Sequence, residues 1–376
     1  MRVGIDARLL HYQRAGISRY ILGLLSGLAQ IDYDFCLTVL LHRGSRAVLP
    51  IDHRVRVGSL LTPCHHRLEQ VTLPAELSLK RLDLLHSPDF IPPLYRRCRS
   101  VVTVHDLAFL RYPHLLTKES SRYYGQIGRA VNSADAIIAV SRTTKEDLVE
   151  RLGTPPDRIR LIPEAASSVF RPLEDSIAVA AARSKFGLDG SYFLFVGTVE
   201  PRKNLATLVR SYALFQRRWL EKARSEPSPK LAVVGRIGWL YDDVFDLVQR
   251  LDLRASVVFL GEVSEADLVL LYNGALALTF VSLYEGFGLP ALEAMACGTP
   301  VICSDVSALP EVVGTAGFLV CPTDVEAQAE AMWRLAADED AWETCRRRGL
   351  ARAAQFSWKQ TAEQTARVYC EVVRGG

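Results

Sequence analysis

Strand-length apolar runs alternate with amphipathic stretches along nearly the whole chain, and this alternation constrains the fold more than any composition figure. It is the pattern of βαβ units, whose parallel strands are buried on both faces and read as unbroken apolar runs. In the first half, runs at 3–5, 37–41, 55–57, 84–85, 101–104, 137–140 and 160–162 read as strands. Helical stretches at 17–29, 118–132 and 142–152 lie between them, the last bracketed by Ser141 as an N-cap and Gly153 as a stop. The pattern lapses from 163 to about 188, across Phe170-Arg171-Pro172, and a hinge is expected there. It restarts with runs at 192–196, 231–234, 257–260, 277–281, 301–303 and 318–320, with helices expected at 205–218, 241–253, 265–273, just past 288, and 325–337. Residues 225–229 read as a surface loop, and a last helix at 360–373 has no strand to return to.

The expected fold class is therefore α/β, with two parallel-sheet domains at 1–170 and 171–355 and a terminal helix in 356–376. A length of 376 residues fits two domains of about 100–200 residues each. Ligands of such sheets bind beyond the carboxyl ends of the strands, so a cleft between two such edges is the expected site.

Composition removes several classes. No run of about 18 uncharged apolar residues is present, and the first ten residues lack a signal-peptide core, so a cytoplasmic protein is expected. The eight cysteines are scattered without a C-x-x-C pair, which favours reduced thiols over a zinc site or a disulfide framework. Residues 1–170 carry 23 Lys and Arg against 16 Asp and Glu, whereas the remainder carries 22 against 26. The basic half suits peripheral contact with an anionic inner membrane face, or simple solvation. No basic motif interleaved with aromatics points to nucleic acid.

The densest constellation lies at 280–300. An apolar run ends at Phe280-Val281, Glu285-Gly286-Phe287-Gly288 cannot continue it, and Pro290 suits the first turn of a helix that Gly298 and Pro300 stop. A helix N-terminus beyond a strand's carboxyl end is an anion site. Glu285 and Glu293 bracket it, and a turn needs glycine but not two glutamates. An ordinary βα connection with solvated acids has the same spelling.

Four other loops follow strands. In Gly197-Thr198-Val199-Glu200-Pro201-Arg202-Lys203-Asn204, adjacent cations can neutralise a diphosphate or merely start a solvated helix. Gly16 is either a tight turn or a place where backbone approaches a ligand. His105 can be a base, a hydrogen-bond partner of a sugar, or a structural residue. Gly235-Arg236-Ile237-Gly238-Trp239 and Gly261-Glu262-Val263 are turns first, although the latter's backbone can meet a base edge. Metal ligation is not expected: the D-x-D matches at 32–34 and 338–340 read as turn and inter-helix material. A full G-x-G-x-x-G, a P-loop and a G-x-S-x-G elbow are absent.

With these residues in hand, the chain resembles the retaining glycosyltransferases of family 4, which carry a G-T-x-E-P-R-K-N phosphate loop and an E-G-F-G-L-P-x-L-E-A-M-A-C-G-T-P-V signature. The forms here are Gly197–Asn204 and Glu285–Val301, followed by Ser304-Asp305, Leu309-Pro310-Glu311-Val312-Val313-Gly314 and Phe356-Ser357-Trp358. The resemblance implies the GT-B fold: two Rossmann-like domains facing each other across a cleft, with the C-terminal helix crossing back to the first. It implies that Arg202 and Lys203, with Gly197 and Thr198, hold the diphosphate of a nucleotide-sugar. Glu293 would take the ribose, and Glu285 with Gly286, Phe287, Gly288 and Leu289 the transferred sugar and distal phosphate. Val263 would meet the base, Gly16 the diphosphate and His105 the donor sugar. Thr198 stands where many relatives carry arginine, which leaves Arg202 as the only arginine expected near this turn.

The implied activity is transfer of a hexose, with GDP-mannose as the expected donor, to a glycan or lipid-linked acceptor in surface-polysaccharide synthesis, with retention and without a metal or cofactor. A sugar-nucleotide epimerase or hydrolase, or a non-catalytic sugar-nucleotide-binding protein, are the alternatives on the same fold.

Overall fold

The computed structural model describes residues 1–12, 16–66, 68–89, 91–113, 123–222, 227–236, 238 and 242–375. The chain divides into two compact units, residues 1–165 with 356–376 and residues 166–355. The division falls ahead of the Phe170-Arg171-Pro172 break because the Phe170 ring lies 5.7 Å from that of Tyr272, inside the second unit.

In the first unit β1 (Arg2–Asp6), β2 (Cys36–His42), β3 (Arg56–Leu60), β4 (Leu84–Ser87), β5 (Arg99–Val104), β6 (Ala136–Ala139) and β7 (Ile159–Leu161) form one sheet. Its order is β3-β2-β1-β4-β5-β6-β7, and every pairing is parallel. The second unit holds β8 (Tyr192–Val196), β9 (Lys230–Val234), β10 (Val257–Gly261), β11 (Ala277–Phe280), β12 (Val301–Ser304) and β13 (Phe318–Val320) in the order β10-β9-β8-β11-β12-β13, again all parallel. Strand order reverses at β1/β4 in one unit and at β8/β11 in the other. Loops leaving such neighbours part to opposite faces and open a crevice at the carboxyl edge. Strands β8, β11 and β12 are buried along their whole length, which is why their sequences do not alternate.

The helix Trp358–Arg374, capped by the Ser357 hydroxyl at Gln360 N, packs in the first unit against the helix Gly16–Leu28. The approach is close enough to dictate sequence. A Cβ on Gly23 would stand 2.0 Å from the Trp358 ring, and one on Gly27 would stand 2.1 Å from the Trp358 carbonyl oxygen. A buried polar chain fastens the far end: Tyr369 Oη lies 2.6 Å from His86 Nδ1, and Thr103 Oγ1 lies 2.8 Å from His86 Nε2 and 3.0 Å from Tyr20 Oη. Burial pushes the His86 imidazole down to about 3, so it bonds as a neutral ring.

The interval expected to be a hinge contains the helix Ser176–Lys185, capped by Asp175. Only Ala182 of it is buried, so it carries almost no apolar period. The helix Glu69–Ser78 was also not anticipated, because Pro74 sits inside it. Of the helix expected at 118–132 the structure shows Ile127–Ser133, and residues 114–122 lie outside the described residues. So do 225 and 226 of the expected loop, Ile237 and Trp239 of the glycine turn, and Tyr241 of the next helix, which begins at Asp242. All eight cysteines are free thiols, with Cys36 and Cys321 exposed.

Candidate active site

In the second unit the loops after β8 and β11 meet at the reversal of strand order. Past β8 the chain makes a single turn over Pro201–Lys203 and enters the helix Leu205–Glu221 through Asn204 at φ +58°. The Asn204 amide holds this turn by donating to the carbonyls of Val281 (3.0 Å) and Pro322 (2.6 Å). Leu283 N donates to Arg202 O at 2.9 Å. At Gly235, after β9, a Cβ would stand 2.0 Å from the Gly197 carbonyl oxygen, so glycine lets the two loops touch. Past β11, Glu285 to Gly288 form a buried turn, and the helix Leu289–Ala296 starts at Gly288 with φ +106° and Pro290 in its first turn. Phe287 and Leu289 are buried with it.

The charges of these loops interlock. Lys203 Nζ lies 2.6 Å from Glu285 Oε1, and Arg202 Nη1 lies 3.3 Å from Glu285 Oε2. Arg202 also reaches Glu200 Oε1 (2.8 Å) and the Tyr284 carbonyl (2.9 Å). Glu285 is only 6% exposed, and its own N–H donates to the Ser307 hydroxyl at 2.9 Å. Burial pushes the Glu285 carboxyl up, but Lys203 and Arg202 outweigh it and hold the carboxyl below its usual range. Burial likewise pulls the Lys203 ammonium below its ordinary value, against the field of Glu285. Two cations and two carboxylates in one small volume leave it electrically balanced.

Glu293, on the helix Leu289–Ala296, is 1% exposed and accepts from the Tyr272 hydroxyl at 3.1 Å. Thr198 is half-buried beside Gly197, and Val263 lies half-buried in the loop after β10. Gly235 N donates to Gly261 O (2.8 Å) and Val199 N to Arg236 O (3.0 Å), so the loops after β8, β9 and β10 are joined. Arg202 is therefore not the only arginine near the turn, since the exposed Arg236 stands there too. Sequence reasoning missed Ser307 and Tyr272 as supports of the two glutamates. Ser307 carries a signal only in hindsight, standing at φ +57° just after Ser304-Asp305.

His105 and Gly16 belong to the first unit. His105 Nδ1 lies 2.7 Å from Glu164 Oε1, and Nε2 lies 3.0 Å from the Pro88 carbonyl oxygen. A carbonyl only accepts, so Nε2 carries a proton. Burial pushes the imidazole down and the Glu164 carboxylate more than offsets it, so the ring is held above its usual value, and both of its nitrogens face acceptors. Gly16 opens the helix Gly16–Leu28, and a Cβ there meets nothing within 4 Å in the described structure. The described residues therefore give no steric reason for glycine. Gly16→Ala is expected to leave stability within about 1 kcal/mol of the parent, while, if Gly16 meets the diphosphate as the family resemblance implies, sugar-nucleotide turnover falls at least tenfold (on the order of 1.4 kcal/mol). Urea denaturation beside a turnover assay checks both halves.

Residues 14–166 match the family described as Glycosyltransferase Family 4, and residues 179–352 the one described as Glycosyl transferases group 1. The chain is 36% identical over 287 residues to O-antigen chain mannosyltransferase B of Escherichia coli, over 76% of this chain and 74% of that one. Its fold matches sucrose-phosphate synthase from Thermosynechococcus elongatus with a TM-score of 0.77 at 24% identity, over 100% of both chains. Anabaena HepE, solved in complex with UDP and glucose, matches with a TM-score of 0.76 at 19% identity, over 99% of this chain and 100% of that one. Family matches in both units, a mannosyltransferase relative spanning most of each chain, and two parallel-sheet domains show together that this chain belongs to the glycosyltransferases of the GT-B fold.

Proposed function

We propose that this enzyme moves a hexose, mannose from GDP-mannose, onto a glycan or lipid-linked acceptor in surface-polysaccharide synthesis, with retention of anomeric configuration. The observation that carries this reading is the Arg202–Lys203–Glu285 constellation at the β8/β11 crevice. It sits on the G-T-x-E-P-R-K-N loop that marks the resemblance to the retaining enzymes of family 4. Mannose is supported by the Escherichia coli relative, whose name is that of an O-antigen chain mannosyltransferase.

The residue roles follow. An incoming diphosphate competes with Glu285 for Lys203 and Arg202, and Glu285 is then released toward the sugar's hydroxyls. As the bond from C1 of the hexose to the phosphate oxygen breaks, charge grows on the leaving diphosphate. Lys203, Arg202 and the N–H groups of Gly286 to Leu289 are donors suited to that charge. The acceptor oxygen bonds C1 on the same face and passes its proton to the departing phosphate, so neither a covalent enzyme intermediate nor a metal takes part. Glu293 binds the ribose and Val263 the base, with Gly197 and Thr198 on the phosphates. From the first unit the family pattern adds Gly16 on the diphosphate and His105 on the transferred sugar, whose hydroxyl would replace the Pro88 carbonyl at Nε2–H. No helix among the described residues is long and apolar enough to cross a membrane. A lipid-linked acceptor is reached through peripheral contact, a reading supported by the excess of Lys and Arg in residues 1–170 and by exposed Leu79 two residues from exposed Arg81.

Thermal unfolding across GDP-, UDP- and dTDP-sugars tests the donor. A ligand at about 100 times its Kd adds roughly 2.7 kcal/mol to native stability. GDP-mannose is expected to raise Tm most. A larger shift with another sugar-nucleotide would replace the donor, and no shift with any of them would remove the reading.

A further inference from the structure

The loop after β9 is pressed onto the loop after β8, and two glycines make the contact possible. A Cβ on Gly235 would stand 2.0 Å from the Gly197 carbonyl oxygen. One on Gly238 would stand 2.7 Å from the Val199 carbonyl oxygen and 2.9 Å from Thr198 Cγ2. Between these glycines Val199 N donates to Arg236 O and Gly238 N to Val199 O, each at 3.0 Å, so the backbone of Arg236 is clamped against Val199. On the other side Gly235 N donates to Gly261 O at 2.8 Å, in the loop that carries Val263. Arg236 is therefore fixed between the Gly197–Asn204 loop and the loop assigned above to the base.

The charges leave this arginine a task. Arg202 reaches Glu200 and Glu285, and Lys203 reaches Glu285. These four side chains sum to zero, so an entering diphosphate meets two cations that are already paired. Arg236 differs: its side chain is exposed and has no hydrogen bond or ion pair among the described residues. Exposed Glu262, in the loop after β10, is not paired with it. An unpaired guanidinium offers only donors, in a planar fork that matches phosphate oxygens.

We propose that Arg236 binds the phosphate next to the nucleoside, as a third cation beside the Arg202–Lys203–Glu285 constellation. This rests on the transfer reaction proposed above and on its placement of the base at Val263. Position selects that phosphate. Arg202 and Lys203 are tied to Glu285 at the β8/β11 crevice, which suits them to the phosphate that carries the hexose. Arg236 follows β9, one strand away from that crevice and next to β10. Its contact is the same before and during transfer, so it tightens donor binding without favouring the transition state.

Isothermal titration of wild type, Arg236→Gln and Arg236→Lys with GDP, UDP and dTDP tests this, adding the monophosphate and nucleoside of whichever base wild type prefers. Arg236→Gln is expected to weaken the diphosphate and the monophosphate alike, about tenfold, and to leave the nucleoside unaffected. Arg236→Lys keeps the charge and is expected to lose less. In a transfer assay the sugar-nucleotide KM of Arg236→Gln rises by the same factor while kcat holds, the mark of uniform binding. Its urea midpoint without ligand stays at the wild-type value, because the side chain is exposed. Unchanged affinity, a loss confined to the diphosphate, a loss shared by the nucleoside, or a fall in kcat at constant KM would overturn the inference and leave the donor reading intact. A wild type that binds none of the three diphosphates removes the donor reading, and the inference with it.

Discussion

Lys203→Ala is expected to remove about 3 kcal/mol of stability, because it leaves Glu285 buried with one partner fewer. The figure sits at the low end for a broken buried pair since Arg202 Nη1 remains 3.3 Å away. Glu285→Gln is expected to destabilise comparably, by stranding an ammonium whose side chain is 12% exposed. The double variant Lys203→Met/Glu285→Gln removes both charges and is expected to regain most of the loss, since a buried pair replaced by neutral groups of similar volume is often nearly neutral. Turnover separates the residues from the scaffold: all three proteins are expected to fall at least 100-fold in kcat/KM, the double variant included. Urea midpoints with sugar-nucleotide turnover on the four proteins read the cycle. A double variant destabilised by the sum of the two single losses would mean that the pair does not interact, and wild-type turnover in Glu285→Gln would remove that residue from the site.

Gly27→Ala is expected to destabilise the first unit by about 3 kcal/mol. The clash is with backbone: the new Cβ would stand 2.1 Å from the Trp358 carbonyl oxygen and 2.9 Å from Ala362 Cβ, and neither can rotate away as a flexible side chain would. Relief requires the helix Trp358–Arg374 to shift off the helix Gly16–Leu28. That shift would draw Tyr369 from His86, leaving the buried imidazole short of a partner at Nδ1. Hydrogen exchange should show raised rates over 358–374 together with β4 and β5. Gly128→Ala is the control, since a Cβ there meets nothing within 4 Å. Parent-like stability in Gly27→Ala would mean that the terminal helix is not seated as described.

What was legible in the sequence followed burial symmetry. Strand β8 is buried on both faces, so its residues had to be apolar in sequence and could be found as a run. The helix Glu69–Ser78 hid because Pro74 stands inside it and its inward face opens with Glu69, paired to Arg8, ahead of buried Leu73 and Leu77, while Val71 lies exposed. At the site, Glu285 and Lys203 were legible as members of two motifs. Their pairing was not, because contact between residues 82 apart depends on β8 and β11 being neighbours, which order along the chain does not state. His105 was legible as a strand-end residue with three open roles. Only the fold supplies Glu164 and the Pro88 carbonyl, which make it a donor.

The product's stereochemistry tests the central claim most directly. Incubating the enzyme with GDP-α-mannose and a mannoside acceptor, then reading the anomeric signal of the product by NMR, is expected to show an α-linked disaccharide formed in step with GDP release. A β-linked product, or free mannose accumulating while the acceptor stays unchanged, would contradict retaining transfer by this constellation.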